Sequence, residues 1–173
     1  MTVVSALVLV AALVLVWAGL AKAVRPHGTA RALRAAGMPL HPQFVRAVAV
    51  LEVAVGAAVT GTSDRVAVAA MAVSYAGFTL FVAVALRKGS VLSSCGCFGA
   101  ADAPPTPGHV LVNAAFATVA GVAAVAETTP ALAGFWRHPA QGIALALVAI
   151  VTTGLVVLAL TRLPALSAAS RSS

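Results

Sequence analysis

Val66-Ala67-Val68-Ala69-Ala70-Met71-Ala72-Val73-Ser74-Tyr75-Ala76-Gly77-Phe78-Thr79-Leu80-Phe81-Val82-Ala83-Val84-Ala85-Leu86 runs for 21 residues without a charged side chain. At about 1.5 Å of rise per helical residue it is as long as the roughly 30 Å hydrocarbon core of a bilayer is thick. Its apolar residues follow no strict alternation, and an isolated strand would leave its backbone N–H and C=O groups unpaired in lipid. The stretch is therefore a transmembrane helix, and the chain around it reads the same way. Hydrophobic residues make up 61% of it and charged residues 9%, against about a quarter charged in a soluble domain.

Working outward, four further segments are candidate spans: Val3–Val24, Phe44–Thr60, Val110–Ala126 and Ile143–Leu163. Phe44–Thr60 and Val110–Ala126 are short and carry polar groups, so the expectation is an all-α, polytopic membrane bundle of four to five transmembrane helices in a single domain, 1–173. Gly19, Gly56, Gly77, Gly121 and Gly154 fall inside the spans, where small residues let helices approach closely. The first segment has no basic region before it and is too long for a signal core, so it reads as a retained helix.

The formal net charge is +7 with only 5% aromatic residues. No basic stripe interleaved with aromatics is present, which speaks against nucleic acid as a partner, and the basic excess instead reports topology. With five spans, one side receives Lys22, Arg25, Arg31, Arg34, Arg46, Arg87, Lys88, Arg162 and Arg171, and the other only Arg65 and Arg137, nine against two of the 11 basic residues. The positive-inside rule then predicts an external N-terminus, a cytoplasmic C-terminus and a cytoplasmic loop 87–109, in the inner (plasma) membrane of the cell. That loop keeps its side even if only the first three segments span.

The loop holds both cysteines of the chain, in Ser93-Ser94-Cys95-Gly96-Cys97-Phe98-Gly99. One intervening glycine allows a turn tight enough for the two sulfurs to bond to each other or to grip one soft metal ion. A disulfide across one residue closes a very small ring and should be strained and easily reduced, which favours exchange chemistry over a structural staple. The plainer reading, two free thiols close by chance in a loop, is opposed by Gly96, Gly99 and the serines, which hold the pair out of a helix.

Two ionisable residues stand inside the spans at a cost that asks for a reason. Glu52 is about two turns into the second span, roughly 10 Å deep, and Lys22 ends the first. The two helices are antiparallel neighbours, so the pair can meet. Either it fixes packing, or Glu52 exchanges the proton that accompanies thiol chemistry or helps hold a quinone-like headgroup. Between the same spans, Thr29–Ala36 predicts a short interfacial helix with Thr29 as N-cap and Gly37 at C′, its arginines touching lipid phosphates. After Pro104, Pro105 and Pro107, His109 opens the fourth span with Asn113 one turn later on the same face. An imidazolium near the thiols would raise their thiolate fraction. The plainer alternatives are a headgroup-level histidine and an interhelical hydrogen bond from Asn113.

These features together resemble the MauE family of methylamine utilisation proteins, a redox-associated membrane family related to DoxX. The likeness runs over roughly 3–165 and rests on Gly19-Leu20-Ala21-Lys22, Glu52, Cys95-Gly96-Cys97-Phe98-Gly99 and the His109-to-Asn113 helix opening. It implies a DoxX-like bundle that forms or maintains disulfides in partner proteins, as in maturation of methylamine dehydrogenase. Cys95, Cys97, Glu52 and His109 would be the working residues of a thiol-disulfide oxidoreductase, with Lys22, Gly96, Phe98, Gly99 and Asn113 supporting them. The implied partners are the lipid bilayer and a thioredoxin-like redox protein or a disulfide-containing client, and a quinone is the candidate cofactor. Two other classes stay open. One is a soft-metal binder for Cu or Zn, disfavoured because two cysteines do not complete a tetrahedral site; the other is a non-catalytic assembly factor.

Overall fold

The structure, a computed structural model, describes residues 3–62, 64–87, 105–126 and 139–169, with side chains described over 140–162 in the last segment. Six helices follow one another among these residues: α1 Val3–Val24, α2 Pro26–Ala35, α3 Pro42–Thr62, α4 Arg65–Arg87, α5 Pro107–Val125 and α6 Pro139–Ala169. Five of them, all but α2, are long and apolar enough to cross a membrane. The chain is thus a multi-pass membrane protein, all-α among the described residues, with five candidate spans there.

α1 keeps the bounds expected from sequence, whereas α3, α5 and α6 begin earlier, each on a proline. Proline at the first helical position lacks only an N–H that would be unpaired there anyway, and its fixed φ suits the helix. Pro26, Pro42, Pro107 and Pro139, which read as loop residues in the sequence, all open helices for this reason. The same effect corrects the interfacial helix: α2 starts at Pro26 with Arg25 at its N-cap, so Thr29 lies inside it. Its other end is as expected. Gly37 takes φ +90°, its N–H donates to the Arg34 carbonyl, and the Met38 N–H donates to that of Leu33, a Schellman ending that glycine enters without a Cβ penalty.

α1 is the axis of the bundle. Half of its most apolar window is buried, against 17–28% for the other spans, and α2, α3, α5 and α6 all pack on it. The tightest contact is with α3. A Cβ on Gly19 would lie 2.8 Å from the Ala49 carbonyl oxygen, and one on Gly56 2.8 Å from that of Ala12, so only glycine lets these antiparallel backbones come so near. Gly77, Gly121 and Gly154, expected to serve the same purpose, face open space: nothing lies within 4 Å of a Cβ built on any of them.

The centre is filled by Leu15, Val68, Met71, Tyr75, Phe116 and Ala120. Tyr75 packs against Phe116 at 5.1 Å and meets the edge of Phe78 at 5.9 Å between ring centroids. Its hydroxyl donates 2.6 Å to the Ala11 carbonyl, which ties α4 to α1 and satisfies a phenol that burial would otherwise penalise.

Candidate functional site

Lys22 and Glu52 each sit in a helix whose neighbours are aliphatic, and the close α1–α3 approach through Gly19 and Gly56 carries them to each other. Lys22 Nζ lies 2.5 Å from Glu52 Oε2, with both side chains 6% exposed. The contact is a buried ion pair. Two opposite charges this deep offset each other's desolvation, whereas either alone would be a strongly unfavourable intruder. The earlier start of α3 also puts Glu52 about 15 Å along its helix, deeper than expected from the sequence.

Lys22 has a second partner in the face of Phe78, 4.3 Å from Nζ to the ring centroid, a cation–π contact that shields an ammonium poorly served by water. Glu52, Lys22, Phe78, Tyr75 and Phe116 therefore form one connected row from α3 through α1 and α4 to α5. Sequence reasoning missed Tyr75 and Phe78. The available signal was a lone tyrosine three residues before a phenylalanine on one face of a charge-free span. Beside the ion pair lies a cavity of about 300 Å³ between α2, α3 and α4, lined among others by Leu33, Phe44, Ser74, Gly77 and Phe81.

His109 is buried at the third position of α5. The backbone N–H of Thr106 donates to its Nδ1 at 3.3 Å, and the Thr106 hydroxyl stands 2.8 Å from the same atom. The imidazole fills the place a glutamate or glutamine takes in a capping box. A backbone N–H can only donate, so Nδ1 is the accepting nitrogen and the proton resides on Nε2. That Nε2 is buried without a well-directed hydrogen bond among the described residues, and the Leu160 carbonyl of α6 lies near enough to act on the ring. Asn113 donates 2.8 Å to the His109 carbonyl. This bond lies within the helix, in place of the interhelical one considered from sequence.

The structure thus brings Lys22 to Glu52 and His109 to Asn113. No hydrogen bond, ion pair or ring contact among the described residues joins the two groups. Lys22 and His109 stand towards the same end of the bundle, with Glu52 midway along α3: α1 and α4 run towards that end, α3 and α5 away from it. α4 ends there at Arg87 and α5 begins there at Pro107, so the cysteine loop leaves and re-enters at this end. Cys95, Gly96, Cys97, Phe98, Gly99 and Lys88 lie outside the described residues. Among the described residues no group of three histidines, cysteines or carboxylates could hold a metal ion.

Residues 1–126 match the family model described as methylamine utilisation protein MauE. The match covers α1 to α5 and ends before α6. No curated protein and no solved structure matches the chain.

Proposed function

The chain belongs to the MauE family, and from that membership we propose that it is an integral membrane thiol–disulfide redox protein acting on the disulfides of partner proteins, such as methylamine dehydrogenase during maturation. Cys95 and Cys97 cycle between dithiol and disulfide. A thiolate of a thioredoxin-like partner or client attacks one sulfur of the disulfide, and its second thiol resolves the mixed disulfide. Two electrons and two protons then rest on Cys95 and Cys97. Gly96, Phe98 and Gly99 support the pair. Glu52 handles the protons with Lys22 as its counter-charge, and His109, its neutral imidazole held by Thr106, tunes their transfer with Asn113 in support.

The observation that carries this reading is the buried Lys22–Glu52 pair, whose lysine stands at the end of the bundle where the cysteine loop departs and returns and whose carboxylate lies midway along α3. A scaffold needing only to hold helices together is served by the glycine contacts of α1 and α3. A buried ion pair adds little net stability over apolar packing, so its presence at this end points to chemistry. The whole chain forms one domain of the inner membrane, with its N-terminus outside and the C-terminus and cysteine loop cytoplasmic, a reading that nine basic residues against two support.

The test is labelling of Cys95 and Cys97 in whole cells with a membrane-impermeant thiol reagent, before and after reduction, paired with alkylation trapping in isolated membranes. The expected result is protection from the reagent in intact cells, with an oxidised Cys95–Cys97 form in membranes. A pair that stays reduced under every electron-acceptor condition would remove the redox function. An assembly factor would instead tolerate serine at both positions without loss of client maturation.

A further inference from the structure

We infer that the cavity beside the Lys22–Glu52 pair binds the ring of a membrane-dissolved quinone, which serves as the two-electron acceptor of the thiol pair. The inference rests on the proposed redox function and names the co-substrate that such a cycle requires. The chamber, about 300 Å³, is at the lower edge of small-molecule pockets, roughly 300–1,000 Å³, enough for one substituted ring with its tail outside. Its mouth opens to lipid: on the rim Phe44 is 55% exposed, Val48 40% and Val73 72%, and apolar side chains at that level of a spanning helix face acyl chains. A ligand dissolved in the bilayer can enter sideways without crossing water.

The inner wall selects the headgroup. Lys22, with three N–H donors, lines the chamber together with Glu52, which it pairs, and Phe78, which covers the cation's face. The ion pair is neutral as a whole, so an anionic head would meet the Glu52 carboxylate, whereas an uncharged carbonyl accepts a hydrogen bond from the ammonium without that repulsion. Phe44 and Phe81 offer aromatic surface for a flat ring. A quinone combines these properties in one molecule: carbonyl oxygens, a planar ring and a lipid-soluble tail. The balance closes. Cys95 and Cys97 lose two protons and two electrons as the S–S bond forms, and the quinone takes up two of each to become the hydroquinone.

Gly77 supplies a selective test, because it lines the chamber and a Cβ there meets nothing within 4 Å. Gly77→Leu projects a side chain into the chamber from a position where its Cβ meets no neighbour. Full-length protein in lipid nanodiscs, titrated with decylubiquinone by equilibrium dialysis, is expected to bind one molecule saturably. Binding should be equal in a Cys95→Ser/Cys97→Ser variant, about tenfold weaker in Gly77→Leu at unchanged melting temperature, and resistant to decanoate. Non-saturable uptake, full affinity in Gly77→Leu, or displacement by equimolar decanoate would overturn the site, the last showing an acyl-chain groove. Failure of the redox reading looks different: quinone binds as described while the thiols stay reduced. Thiols oxidised at the parental rate in Gly77→Leu membranes would keep the redox reading and remove the quinone as acceptor.

Discussion

At the scale of single residues, the ion pair and the tyrosine bond make separable predictions. Lys22→Met leaves Glu52 buried opposite an uncharged chain, and breaking a buried pair from one side costs about 3–5 kcal/mol. A large fall in melting temperature or in membrane accumulation is expected. Lys22→Met/Glu52→Met should recover most of that stability, since apolar replacement of both partners is close to neutral, yet should not recover thiol oxidation. Oxidation at the parental level in the double variant would reduce the pair to a packing device. Tyr75→Phe removes the hydroxyl from the Ala11 carbonyl and should cost about 0.5–1.5 kcal/mol, read as a small drop in thermal stability without change in span number. Glu52 and Lys22 were legible in the sequence because charge within an apolar run demands explanation. Tyr75 was not, since an aromatic in a membrane helix is unremarkable until the carbonyl it reaches is known.

At the scale of helices, glycines of one composition divide into two kinds. Gly56→Ala puts a Cβ 2.8 Å from the Ala12 carbonyl oxygen and 2.6 Å from a Val16 methyl. The backbone atom cannot step aside, so α1 and α3 must part, at about 1–3 kcal/mol. Gly121→Ala meets nothing within 4 Å and should be neutral or stabilising by up to about 1 kcal/mol through helix propensity. Melting temperatures of the two variants in one detergent check the contrast, and equal losses would refute the assigned contact. Nothing in the sequence separated these glycines, because each stands among Ala and Val and only the partner helix decides which is pressed. The prolines misled for a related reason: their loop-forming and helix-opening roles share one fixed φ, and the residues C-terminal to each proline decide between them.

At the scale of the whole molecule, the hydrophobic segments were plain in composition, because lipid leaves a backbone few alternatives, and only the two short ones left the count between four and five. The sidedness rests on basic residues alone and yields its own prediction. A fluorescent protein fused after Ser173 should be bright, and alkaline phosphatase fused there inactive; the opposite outcome would invert the topology and place the cysteine loop outside. α1 carries its ammonium and α3 its carboxylate on different crossings, separated by one short helix. A lone charge at the bilayer centre costs about 2.5–3.5 kcal/mol on insertion scales. Lys22, two residues before the end of α1, can extend its ammonium to the interface while α1 stands alone. Glu52, midway along α3, has no such escape, so the second crossing enters at lowest cost beside the first, and the two settle as a neutral hairpin.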